Sequence, residues 1–236
     1  MGATHEAKDT VTDAVTDAVA DAVATVKPRL RGWLHTGTAP LAVAAGLVLV
    51  ILAPSTTGRI TAGVFTLSAG LLFGTSAIYH RGTWSPRTRM LLKRFDHSNI
   101  FLIIAGTYTP FAALLLPEGR GRTLLLIVWG GAIAGVLFRV FWVGAPRWLY
   151  TPVYVALGWV AVMYLPDFLR SGGPAVVTLI IIGGALYTLG AVVYGLKRPD
   201  PSPRWFGFHE IFHAFTVAAF VVHYIAVSFT VYGHPA

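Results

Sequence analysis

Seven apolar runs divide this 236-residue chain, each about long enough to cross a ~30 Å hydrocarbon core. They cover approximately Thr36–Pro54, Ile60–His80, His97–Pro117, Arg122–Val143, Trp148–Leu165, Pro174–Gly195 and Phe208–Tyr232. Turn and charge signals fill the gaps, among them Trp84-Ser85-Pro86, Pro117-Glu118-Gly119, Gly172-Gly173-Pro174 and Pro199-Asp200-Pro201. The pattern predicts an all-α integral membrane protein, a seven-transmembrane helix bundle. Helices satisfy their backbone polar groups internally where no water can. Composition agrees, because a chain that is 55% hydrophobic and 12% charged cannot cover a soluble surface. The absence of cysteine excludes a disulfide scaffold, thiolate catalysis and Cys-ligated metals. Glycines inside the runs (Gly130, Gly131, Gly135, Gly183, Gly184, Gly190) suit close helix packing.

The organisation reads as an acidic Ala/Val-rich N-terminal tail over 1–35, the helical domain over 36–232 and a short C-terminal tail over 233–236. In the N-terminal tail Asp9, Asp13, Asp17 and Asp21 alternate with Val11, Val15, Val19 and Val23. A period of four keeps each set on one helical face, as in a short amphipathic helix, and the same composition suits a frayed low-complexity tail. Its acidic start is not that of a secretory signal peptide.

The net charge of +8 reports topology. With the N-terminus cytoplasmic, the inner segments hold Lys8, Lys27, Arg29 and Arg31, then Arg81, Arg87, Arg89, Lys93 and Arg94, then Arg139 and Arg147, then Lys197, Arg198 and Arg204. The outer segments hold only Arg59, Arg120, Arg122 and Arg170. The positive-inside rule therefore predicts N-terminus in and C-terminus out, in a cell membrane. Basic residues spaced between apolar runs do not form the continuous stripe that a nucleic-acid partner needs.

Ionisable side chains within a bilayer are costly, so each is a functional candidate. The second run ends, and the third and seventh begin, on the same cytoplasmic side. At those ends lie His80, then Asp96 with His97, then His209 with His213. His209 and His213 project from one helical face and form a clamp suited to Zn²⁺. His80 would add a third nitrogen, leaving the open fourth position of a catalytic zinc. Asp96 would orient or deprotonate a water, and Ser76 lies one turn before His80 on the same face. Three imidazoles also suit other first-row ions.

Plainer roles exist for these residues. An interhelical hydrogen bond suffices for His35, His97 and His223, and solvent exposure for His5 and His234. Asp96 has an ion pair with Lys93 or Arg94 as its alternative, and Ser76 a bond to a helical carbonyl. His209-Glu210-Ile211-Phe212-His213 spells H-E-x-x-H, which offers Glu210 as a second candidate base. A carboxylate in the first turn of a helix is also favourable in itself.

Three blocks resemble the signatures of the hemolysin III family. They are Ser76-Ala77-Ile78-Tyr79-His80; Arg94-Phe95-Asp96-His97-Ser98-Asn99-Ile100 running on to Ala105-Gly106-Thr107-Tyr108-Thr109-Pro110-Phe111; and Phe208-His209-Glu210-Ile211-Phe212-His213. That family is the bacterial branch of the progestin and adipoQ receptors, which include the adiponectin receptors, and is more distantly similar to alkaline ceramidases. The resemblance runs from about Gly32 to Tyr232. It implies a seven-helix bundle with zinc near the cytoplasmic side, held by His80, His209 and His213. It also implies that Asp96 holds the zinc-bound water, with Ser76 beside it.

The leading expectation is a zinc-dependent hydrolase cleaving a lipid amide or ester bond at the cytoplasmic side, with a membrane lipid as partner. The catalytic candidates are Asp96, Ser76 and Glu210. A receptor or membrane-lipid sensor with structural zinc is the second reading. A cytolytic protein is the third, disfavoured because no ring of polar residues recurs across several runs.

Overall fold

The computed structural model describes residues 28–234. The Asp/Val repeat expected to form an amphipathic helix or a frayed tail lies outside the described residues. Among the described residues seven helices follow in order: α1 (Trp33–Leu52), α2 (Thr56–Arg81), α3 (Pro86–Leu115), α4 (Glu118–Phe141), α5 (Arg147–Gly158), α6 (Leu165–Leu196) and α7 (Phe208–Gly233). A 3-10 segment, Trp159–Tyr164, joins α5 to α6. Among the described residues there is no β-strand, only an isolated bridge between Ser202 and Phe206.

Among the described residues six helical stretches are long and apolar enough to cross a membrane, with Arg147–Leu196 forming one continuous stretch of 50 residues. A straight helix of that length would be about 75 Å long, more than twice the hydrocarbon thickness. It is not straight. Gly173 has φ 77° and ψ 175°, values that break the helix and favour glycine, and Pro174 restarts it. The two arms then lie side by side in opposite directions. Tyr150 Oη meets Tyr194 Oη at 3.0 Å, and Trp159 Nε1 donates to Thr188 Oγ1 at 2.9 Å.

Capping sets where the helices begin. Ser55 Oγ accepts from Gly58 N at 3.1 Å to start α2, and Ser85 Oγ accepts from Thr88 N at 3.3 Å to start α3. Proline at the first position of α3 fits, since its missing N–H is one that no helical carbonyl would receive. The third helix therefore begins at Pro86, about three turns before the apolar run at His97. Its first turns carry Arg87, Arg89, Lys93 and Arg94, which apolar length alone could not assign to a helix. Asp96 and His97 thus lie inside α3 and not at its start.

At the far end of the 3-10 segment's first turn, Tyr108 of α3 mends the backbone. Its hydroxyl donates to Gly158 O at 2.5 Å and accepts from Ala161 N at 2.7 Å. α3 is the most buried helix and packs against α2, α4, α5, α6 and α7. Close approach elsewhere uses glycine: a Cβ on Gly135 of α4 would overlap the Phe101 ring of α3.

Candidate metal centre

Four helices meet on the side where α2 finishes and α7 starts. His80 comes from the last turn of α2, Asp96 from α3, His209 and His213 from α7, and His35 from α1. α7 starts where it does because Gly207 N donates to Glu210 Oε2 at 2.9 Å, a capping arrangement that holds His209 in the first turn. The chain enters α1 through Gly32, whose φ of 81° is left-handed. A Cβ there would sit 2.6 Å from His80 Cβ, so glycine is required both for conformation and for space.

The ring nitrogens of His80, His209 and His213 lie within 4.8 Å of one another. His80 Nε2 and His209 Nε2 are 3.3 Å apart. Two nitrogens bound at 2.0–2.1 Å to a tetrahedral zinc are separated by about 3.3–3.4 Å, so this pair spans one edge of such a site. His213 is buried and its Nδ1 has no hydrogen-bond partner among the described residues. An unoccupied polar nitrogen in a dry interior is costly unless something else coordinates it. Three converging imidazoles with no thiolate suit a borderline divalent ion.

Asp96 Oδ2 lies 3.7 Å from His80 Nε2, and Asp96 is 8% exposed. It faces the histidines, and no ion pair joins it to Lys93 or Arg94 among the described residues. Ser76 is 1% exposed and its Oγ has no hydrogen-bond partner among the described residues, so it does not back-bond to the helix. Both line a cavity of about 130 Å³ that also touches His209 and His213. From this polar head the cavity runs between α3, α5, α6 and α7 along apolar walls. Its lining includes Trp159, Val162 and Ile181, which are themselves exposed on the outside of the bundle. The cavity thus reaches the exposed flank of the bundle between the 3-10 segment and α6.

The structure does not bring Glu210 to the cluster. One of its oxygens accepts from Arg31 Nε in an ion pair, the other from Gly207 N, and the residue is 1% exposed. That is the helix-terminal role open to a first-turn carboxylate. Of the remaining histidines, His97 Nδ1 accepts from Arg139 Nη2 at 2.7 Å, an interhelical bond between α3 and α4. His234 Nδ1 meets Thr230 O at 2.9 Å. His35 departs from expectation, because neither of its nitrogens has a hydrogen-bond partner among the described residues. It stacks on His213 with ring centroids 3.8 Å apart. Its place at the start of the first apolar run gives it the same depth as His80 and His209, a signal that sequence parity already contained. His223 Nδ1 is likewise without a hydrogen-bond partner among the described residues.

Arg139 was not singled out by the sequence, since it counts there only as a loop charge. It is 1% exposed, lies 4.2 Å from the Tyr150 ring centre and bonds both His97 and Val143 O.

Comparisons with known proteins show what the chain is similar to. The family model described as "Haemolysin-III related" matches residues 23–224. The chain is 31% identical over 209 residues to the hemolysin-3 homolog of Bacillus subtilis (strain 168), covering 87% of this chain and 95% of that one. It is 29% identical over 210 residues to hemolysin-3 of Bacillus cereus, covering 87% and 93% respectively. The adiponectin receptor protein of Drosophila melanogaster is 27% identical over 190 residues, 72% of this chain and 42% of the receptor. A match over this length, with three imidazoles gathered at one end of an all-helical membrane bundle, has one conclusion: the chain belongs to the haemolysin-III-related family, within the wider group that includes the adiponectin receptors.

Proposed function

We propose that this protein is an integral-membrane zinc hydrolase that cleaves an amide or ester bond of a membrane lipid. The observation that carries the proposal is the join between a three-imidazole cluster and an apolar cavity open toward lipid. His80, His209 and His213 would hold the ion, which when bound polarises a carbonyl and acidifies a water. The chain supplies the rest. Asp96, beside His80 and facing the cavity head, orients a water and takes its proton. Ser76 Oγ, beside Asp96 and without a close hydrogen-bond partner among the described residues, donates to the carbonyl oxygen of the lipid. The apolar walls hold the acyl chain and exclude bulk water.

The chain crosses a cell membrane seven times, with the N-terminal side and the metal cluster cytoplasmic. The antiparallel packing of the two arms of Arg147–Leu196 supports seven crossings, and the inner bias of Lys and Arg supports the orientation. Because the sequence has no cysteine, single cysteines at Ser85 and Gly119 give a clean labelling test. Position 85 should react only from the cytoplasm and position 119 only from outside.

Hydrolysis is tested by incubating purified protein with ceramides and phospholipids and measuring released fatty acid. Wild type should turn over at least one of them, while Asp96→Asn and His80→Ala should not. No release from any of them, or undiminished release by Asp96→Asn, removes the enzyme reading.

A receptor or lipid-sensing role is the second reading, supported by the similarity to the Drosophila adiponectin receptor protein and by a cluster that ties α2 to α7. On that reading the ion is structural, and His80→Ala loses metal and thermal stability together with no turnover to lose.

A further inference from the structure

The far half of the cavity contains a second pair of polar groups. His223 of α7 lies ten residues beyond His213, about 15 Å along the helix. It is buried, and its Nδ1 has no hydrogen-bond partner among the described residues. Tyr187 of α6 stacks on it, ring centroids 5.6 Å apart and planes 19° from parallel. The Tyr187 hydroxyl is also buried without a partner among the described residues. Both side chains line the cavity.

The neighbouring polar groups are satisfied, so the depth itself does not explain these orphans. Trp159 Nε1 donates to Thr188 Oγ1 at 2.9 Å, Thr188 Oγ1 to Gly184 O at 2.8 Å and Thr216 Oγ1 to Phe212 O at 3.0 Å. Room for the His223 ring also depends on Gly183, where any Cβ would overlap it. An imidazole nitrogen and a phenol at one wall of an apolar cavity can offer a donor and an acceptor together, the pair a hydroxyl group needs. Leaving them unmet in hydrocarbon is unfavourable, and lipid tails cannot meet them.

We infer that Tyr187 and His223 form a second polar subsite, which binds a hydroxyl carried in mid-chain by a lipid whose head lies at the histidine cluster. The inference rests on a lipid chain occupying the cavity, as in the function proposed above, and not on hydrolysis.

The test compares oleic acid with ricinoleic acid, the same chain bearing a mid-chain hydroxyl, for binding to purified protein in nanodiscs. Wild type should bind ricinoleic acid about tenfold tighter, the scale of one well-made buried hydrogen bond pair. Tyr187→Phe should abolish that preference, binding the two acids equally. The same variant should melt at a higher temperature than wild type without ligand, because it removes an unmet hydroxyl. His223→Leu should likewise lose the preference. Equal affinity of wild type for the two acids overturns the subsite. So does a Tyr187→Phe protein that is less stable or fails to fold, since the hydroxyl would then have a partner within the protein or a water. If neither acid binds, the lipid-filled cavity fails and the subsite with it.

Discussion

His35 lies flat against His213, the ring centroids 3.8 Å apart and the planes 9° from parallel. Phe73 meets the other side of His35 edge-on at 5.0 Å. A ring held this way fixes the plane of His213 without any hydrogen bond, so α1 orients one member of the cluster by packing alone. His35→Phe should therefore keep bound metal, and His35→Ala should weaken it by about 10-fold, the low end for residues supporting a ligand. Chelator competition measures both. Equal loss in the two variants would mean that His35 acts through its nitrogens.

Metal content should depend on each of three residues. His80→Ala, His209→Ala and His213→Ala should each lose bound ion in elemental analysis, because two imidazoles make a much poorer site than three. Adding a chelator should lower the melting temperature of wild type and leave the variants unmoved. A melting temperature indifferent to chelator in wild type would sink the metal centre itself.

Glu210 should behave as a structural carboxylate. Glu210→Gln keeps the cap to Gly207 but leaves Arg31 without its charged partner, and should cost about 1.5–3 kcal/mol in stability. Bound metal per folded molecule should be unchanged. Asp96→Asn should do the reverse, sparing stability and abolishing turnover. A Glu210→Gln protein that is stable but inactive would restore Glu210 as a candidate base.

The Arg139–His97 bond should show strong coupling. His97→Leu leaves a buried guanidinium with only Val143 O to accept from it, and losing the acceptor of a hydrogen bond from a buried charge typically costs about 1.5–3 kcal/mol. Arg139→Met together with His97→Leu should be far less harmful than His97→Leu alone. Additive losses in a double-mutant cycle would contradict a direct interaction.

Much of this was legible in the sequence, for a physical reason. Hydropathy and turn signals locate helices, and helix parity then assigns each end to one face of the membrane. That placed His80, Asp96, His209 and His213 at one level although His80 and His209 are 129 positions apart. The start of α3 was missed because a helix extending into the polar interface carries charge, and apolar length stops counting there. The side-chain pairings of Glu210 and Arg139 were not legible. Both depend on helix rotation within the bundle, and a single sequence gives depth much better than rotation. Glu210 illustrates the difference: one residue from His209 and equal to it in depth, it points to Arg31 instead of the cavity.

The hydroxyl of Tyr108 has a consequence for how the lateral opening exists at all. Where α5 gives way to the 3-10 segment, the regular ladder of peptide bonds is interrupted beside Trp159 and Val162, the residues at the cavity's outer edge. In a soluble protein water would fill the missing rungs. Here one phenol supplies both, serving as a spliced-in peptide group for Gly158 and Ala161. The doorway and its lintel are thus built by different helices, the gap by α5 and the support by α3.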